Sequence, residues 1–172
     1  MRSAAIKNIV IYALACAIVF AATLIAVPAP MVGNVNLGDC AILLCVFLIN
    51  SFPLSVACAL GAALADLVSG YAIYIPATFL IKLLMGLCAL GVCKLLLRVR
   101  LPKLPSRIIG AILAEWVMIA GYWIYEATVL SYGFLAAAAN IPFNAVQGGI
   151  AIVISQLALP ILQKAKLFRS EE

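Results

Sequence analysis

PLSVACALGAALADLVSGY (residues 53–71) runs straight into AIYIPATFLIKLLMGLCALGVCKLLL (residues 72–97), an apolar hairpin with one acid, Asp66, and one base, Lys82, set inside oily sequence. Ser69-Gly70 marks the turn between its limbs. Counting from that turn at roughly 1.5 Å per residue places both ionisable groups about 6 to 10 Å below one membrane face, where they can meet. A charge inside a membrane segment costs about 2.5 to 3.5 kcal/mol even on lenient insertion scales, so it is paired, turned inward or put to use. Two readings follow: an Asp66–Lys82 ion pair that locks two helices, or a polar ligand pocket near one surface.

The rest of the chain has the same character. Of 172 residues, 67% are hydrophobic and only 10% charged, and the mean hydropathy is +1.24. A soluble core with a charged shell does not reach these values. With about 20 apolar residues needed per crossing, the expectation is an all-α integral membrane bundle of six transmembrane helices, one domain over residues 1–172, with spans near 8–27, 40–50, 53–70, 75–97, 108–130 and 139–163. The first apolar run is longer than a signal-peptide core of about 7 to 15 residues, so it reads as a mature helix.

The net charge of +5 marks topology rather than a nucleic-acid partner. Arg2 and Lys7 precede the first span, Lys94, Arg98, Arg100, Lys103 and Arg107 cluster between the fourth and fifth, and Lys164, Lys166 and Arg169 follow the last. With six spans all of these fall on one side, which makes both termini cytoplasmic. The chain has no histidine, which removes the usual metal ligand and the His-based nucleophile pairs, so neither an enzyme nor a metal or cofactor site is expected. The cysteines at 16, 40, 45, 58, 88 and 93 form no CxxC pair and read as small buried hydrophobes. Gly86 and Gly91 have a phosphate-loop interval, but Val92-Cys93 stands where Lys-Ser or Lys-Thr would bind a nucleotide.

Taken in order, Ala13, Ala17 and Ala21 put small side chains every four residues along the first span. Such a strip serves either internal packing or docking of another membrane subunit. VPAPMVGNVNLGD (residues 27–39) is the longest outer loop, and Asn34, Asn36 and Asp39 give it polar reach. Asp39 begins the second helix, so it either caps that helix or lines an outward-facing pocket. The second span is short, tilted or shielded by its neighbours. Ala57, Gly61 and Ala65 form a further small-residue row on the third. Tyr71 and Tyr74 sit at the outer interface as belt residues or ligand contacts.

In the fifth span Glu115, Tyr122 and Glu126 share a helical face, with Trp123 beside it. Glu115 lies deeper and needs a partner, water or a proton. Asn140, Asn144 and Gln147 form a stripe of amides in the outer half of the sixth span, too many for lipid, and serve interhelical bonds or a ligand. The polar groups thus converge in the outer half of the bundle and leave the inner half nearly apolar. That arrangement suits solute capture from outside and contains no polar path through the membrane.

Four segments in order, GNVNLGD, ALADLVSGY, PATFLIKLLMGL and IPFNAVQGGI, resemble the substrate-binding S components of energy-coupling factor (ECF) transporters. The likeness covers most of the chain and is nearest to the riboflavin-type branch, which includes hydroxymethylpyrimidine and pyridoxine binders. It implies a vitamin binder in a bacterial plasma membrane that docks on one transmembrane coupling subunit and two ATPases. It also implies that the binder topples to carry its occupied pocket inward. The docking strip maps onto Ala13, Ala17 and Ala21, and the pocket onto Asn36, Asp39, Asp66, Tyr74, Lys82, Tyr122, Trp123, Glu126, Asn140, Asn144 and Gln147. The aromatic rings can stack on a flat heterocycle while the amides and charges bond its rim. The competing expectation is a non-transporting structural subunit of a cell-shape complex, which needs packing alone.

Overall fold

The computed structural model describes residues 2–28 and 34–164, with side chains from residue 5 onward. The tip of the outer loop, including Pro30 and Gly33, and the tail that carries Lys166 and Arg169 lie outside the described residues. Six principal helices form the bundle: α1 (Arg2–Leu24), α2 (Gly38–Ile49), α3 (Phe52–Val68), α4 (Ile75–Arg98), α5 (Lys103–Thr128) and α7 (Ile141–Lys164), with a single-turn α6 (Phe134–Ala137) ahead of the last.

Four helical segments are long and apolar enough to cross a membrane, spanning Ala5–Leu24, Ala72–Arg98, Lys103–Thr128 and Phe134–Lys164. The other two principal helices fall short of the expected six full spans. With 12 residues, α2 is only about 18 Å long, against a hydrocarbon core of roughly 30 Å. It can be short because it is central: nine of its residues are buried, and it touches α1, α3, α4 and α7. The remaining helices neighbour one another in the order α1, α3, α4, α5, α7, and α2 bridges the two ends of that series by touching both α1 and α7. The outer surface is apolar nearly everywhere, with Leu135, Ile161, Ile9 and Trp116 among the most exposed side chains, as expected where lipid is the solvent.

The chain above α2 is not an irregular loop. Ala26–Pro28 (β1) pairs antiparallel with Asn34–Asn36 (β2), in the register Ala26 to Asn36 and Pro28 to Asn34. The first span therefore stops short of residue 27. At the other side of α2, Asn50 takes the left-handed conformation (φ 57°), which ends the helix and turns the chain into α3. Proline in the first turn of α3 and of α4 costs no hydrogen bond there. The fifth helix begins at Lys103, five residues earlier than expected, so Lys103, Pro105 and Arg107 are helical rather than loop.

Two close crossings hold neighbouring helices together. A Cβ placed on Gly61 would sit 2.3 Å from the carbonyl oxygen of Cys16, so the small-residue row of α3 lets α1 approach backbone to backbone. Gly110 on α5 meets Ala89 on α4 in the same way, at 2.6 Å. Inward, α1 presents Ala15, Val19 and Thr23. Ala13, Ala17 and Ala21 point away from the bundle and are exposed, which overturns internal packing as their role. Cys16 and Cys88 are only half-buried, unlike the other four cysteines.

Candidate functional site

Because the helices alternate in direction, the ends of α1, α3 and α5 and the starts of α2, α4 and α7 meet at one end of the bundle. This is the end opposite the N-terminus of α1 and Lys164. Most of the polar side chains in the bundle are gathered there around a chamber of about 50 Å³. Asn34 and Asn36 of β2 form part of its wall, with Asp66 of α3, Tyr71, Tyr74, Thr78 and Lys82 before and along α4, and Tyr122 and Glu126 of α5. Asn140, Phe143, Asn144 and Gln147 complete it from the last helix and the turn before it.

Lys82 does not pair with Asp66. Its Nζ donates to Asp39 Oδ1 at 2.5 Å, and both side chains are buried, at 3% and 0% exposure. The ion-pair reading of the opening hairpin was thus right about a buried pair and wrong about the acid. The physical reason is the shortness of α2: its first turn starts well inside the bundle, so Asp39 lies level with Lys82. Nor is Asp39 an N-cap. Leu37 holds that position, Asp39 is already in the first turn, and no side-chain cap bond forms.

From this pair a bonded chain climbs to the hairpin. Gln147 Nε2 donates to Asp39 Oδ2, the backbone N–H of Asn36 donates to Gln147 Oε1 at 2.8 Å, and the Gly38 N–H donates to Asn36 Oδ1 at 2.9 Å. A second group lies across the chamber. Glu126 accepts from Tyr74 Oη at 3.3 Å and from Asn140 Nδ2 at 2.9 Å. Thr78 and Tyr122 hydroxyls are 3.0 Å apart, and the Lys82 ammonium stands 5.2 Å from the centre of the Tyr122 ring. Tyr74 packs between Tyr71, Tyr122 and Tyr125, so one wall is aromatic.

Asp66 is only partly satisfied in this network, with the Thr78 hydroxyl and the Lys82 charge beside it. It lines the chamber, and its buried Oδ2 has no hydrogen-bond partner. Glu115 also carries two unbonded buried oxygens, but it lies outside the chamber wall, packed under Gly148. Among the described residues no group of His, Cys, Asp and Glu side chains could hold a metal ion.

Of the residues singled out from sequence, Asn36, Asp66, Tyr74, Lys82, Tyr122, Glu126, Asn140, Asn144 and Gln147 line the chamber. Asp39 lies just behind it. Trp123 is not part of the wall: its Nε1–H donates to the Phe134 carbonyl at 3.0 Å and its ring meets that of Phe134, which ties α6 to α5. Thr78 and Phe143 were missed. Thr78 precedes Lys82 by one helical turn on the same face, a spacing that could have found it; Phe143 gives no comparable signal. Asn140 belongs to a 3₁₀ turn ahead of α7 and still joins Asn144 and Gln147 at the chamber.

A helical, lipid-facing bundle with one polar chamber under one end defines a membrane-embedded protein built around a small binding site. Residues 3–164 match the family model of the ECF-type riboflavin transporter S component, and the chain belongs to that family. This is a transporter-component family and not an enzyme family. A solved structure described as the S component of a bacterial ECF transporter shares the fold with a TM-score of 0.69 and 24% identity, covering 95% of this chain and 98% of the other. No curated protein matches the chain.

Proposed function

We propose that this chain is the substrate-capture subunit of an ECF-type transporter. It binds a small heteroaromatic vitamin or precursor of the hydroxymethylpyrimidine, pyridoxine or flavin kind from outside and delivers it by docking on a coupling subunit and two ATPases. Residues 1–172 form one six-helix membrane domain in a bacterial plasma membrane with both termini cytoplasmic. The cations near both ends and between α4 and α5 support this orientation by the positive-inside rule.

The single observation that carries the reading is the placement of polar groups in an otherwise apolar bundle. They converge from the hairpin and four helices on one chamber, with aromatic rings on one wall and a carboxylate oxygen of Asp66 left without a partner. Unmatched acceptors alone do not decide this, since Glu115 carries two outside the chamber, but a structural subunit needs packing alone and gives no reason for acids, amides and tyrosines to gather around one void with an open acceptor in its wall. A ligand donor supplies one. Among the described residues the opposite end is cored by Leu54, Cys58, Met85, Leu90 and Leu159, and the buried Ser55, Glu115 and Ser155 interrupt it singly rather than as a continuous polar path. Release on the inner side therefore calls for movement of the whole subunit, which explains the need for partners. On α1 the exposed row Ala13, Ala17 and Ala21 is where a coupling helix can approach closely.

The test is thermal unfolding of the detergent-purified protein across a panel of vitamins. One heteroaromatic vitamin should stabilise it, by about 2.7 kcal/mol at a hundredfold excess over Kd, and Asn144→Ala should abolish the response with the bundle still folded. No response to any member of the panel would overturn the assignment.

A further inference from the structure

We infer that the chamber selects an unphosphorylated, single-ring heterocycle bearing an amino group, which donates to Asp66. The inference rests on the chamber being the vitamin site and goes on to say which vitamin chemistry it accepts.

Charge is the first argument. Asp66 and Glu126 line the chamber with Lys82 as their only cationic neighbour in the wall. That cation is already bonded to Asp39 behind the wall, so it is not available to neutralise an incoming anion. Among the described residues no arginine lines the chamber. A phosphate or carboxylate on the ligand would meet the carboxylates of Asp66 and Glu126 with no free cation beside them, and sites for such groups are built from arginine forks or free ammonium groups. An ionised carboxylate accepts hydrogen bonds and cannot donate them. An acid with an open oxygen therefore asks for a donor.

The second argument is the inventory of bonds already made. Glu126 receives two donors from the protein, one on each oxygen. Asp66 Oδ2 receives none. The vacancy is thus a single acceptor on the α3 side, across from the tyrosines that can face a planar ring. An amino group meets it with a charge-assisted bond and, when protonated, also offsets the Asp66 charge, which a hydroxyl does not; an unprotonated ring nitrogen or a carbonyl oxygen would leave it unmatched or oppose it.

Size is the third. About 50 Å³ holds roughly three to five waters. A single flat ring asks for the least widening of this space, at the Asn36–Gln147 bond between β2 and α7. Three fused rings with a polyhydroxy tail would have to break the Tyr74–Glu126–Asn140 and Asp39–Gln147 bonds together.

Isothermal titration of the purified full-length protein against matched compounds separates these terms. The probes are 4-amino-5-hydroxymethyl-2-methylpyrimidine, pyridoxamine, pyridoxine, pyridoxamine 5′-phosphate and riboflavin. The amino-bearing compounds should bind at least about tenfold more tightly than pyridoxine, the scale of one hydrogen bond to a charged group, and the phosphate ester should not bind. Asp66→Asn, nearly isosteric, should bring pyridoxamine and pyridoxine to similar affinity while pyridoxine still binds. Tightest binding of riboflavin or of the phosphate ester would overturn the inference and leave the transporter assignment standing. So would an unchanged preference in Asp66→Asn. Binding of none of the probes would count against both.

Discussion

The two ends of this bundle are made by the same helices under opposite rules. At the chamber end α3, α4, α5 and α7 carry acids, amides and hydroxyls that bond one another around a void. At the other end they present Leu54, Met85, Leu90 and Leu159, close-packed and almost without polar groups. The exceptions there are scattered and surround no chamber: Ser55, Ser106 and Ser155 are buried singly, Tyr12 bonds Ser51 at 2.8 Å, and the Lys94 ammonium lies 4.2 Å from the centre of the Phe52 ring. The difference teaches which end can change. Hydrogen-bonded partners can be exchanged for a ligand's groups at small net cost, whereas dispersion contacts in a dense core have no substitute.

Substitutions can break this contrast, and the largest effect is expected at the junction of the two regions. Asp39→Ala strands the Lys82 ammonium at 3% exposure and should cost about 3 to 5 kcal/mol in reversible unfolding in detergent. The double variant Asp39→Leu with Lys82→Met should recover most of that loss. If the single variant is nearly silent, the pair is not what holds α2 to α4.

Next comes the apolar end. Leu159→Ala should cost about 2 to 4 kcal/mol by cavity formation, with ligand affinity unchanged. A comparable loss of affinity would mean the ends are coupled more tightly than their packing suggests. Gly61→Ala should cost about 1 to 3 kcal/mol, because the new methyl group meets the Cys16 carbonyl and α1 must move; a melting temperature equal to that of the parent protein would refute the close crossing. The smallest effect on stability belongs to Ala17→Leu on the exposed strip, within about 0.5 kcal/mol. The same change should abolish co-purification with the coupling subunit while ligand binding persists. Retained assembly would remove the strip from the proposed docking surface.

Much of this was readable in the chain. Apolar runs, the amide stripe Asn140, Asn144 and Gln147, and the face shared by Tyr122 and Glu126 follow helical periodicity, which the side chains cannot escape. Legibility failed where two remote segments had to be set at one depth. The opening hairpin offered Asp66 to Lys82 because they are neighbours in sequence, but the actual partner comes from a helix whose shortness lowers Asp39 to the lysine's level. Trp123 failed for a similar reason: its ring lies beside the shared face, and the docking of α6 turns it away from the chamber.

The sequence by itself determined a lipid-facing helical bundle, its charge asymmetry and the concentration of polar residues toward one end, since these depend on composition and on a period of 3.6 residues per turn. Only the tertiary structure decided which acid neutralises Lys82, that a β-hairpin closes over α2, and that Asp66 keeps an unmatched oxygen. Those outcomes depend on relative depth and on distances of a few ångströms between helices, which no local pattern encodes.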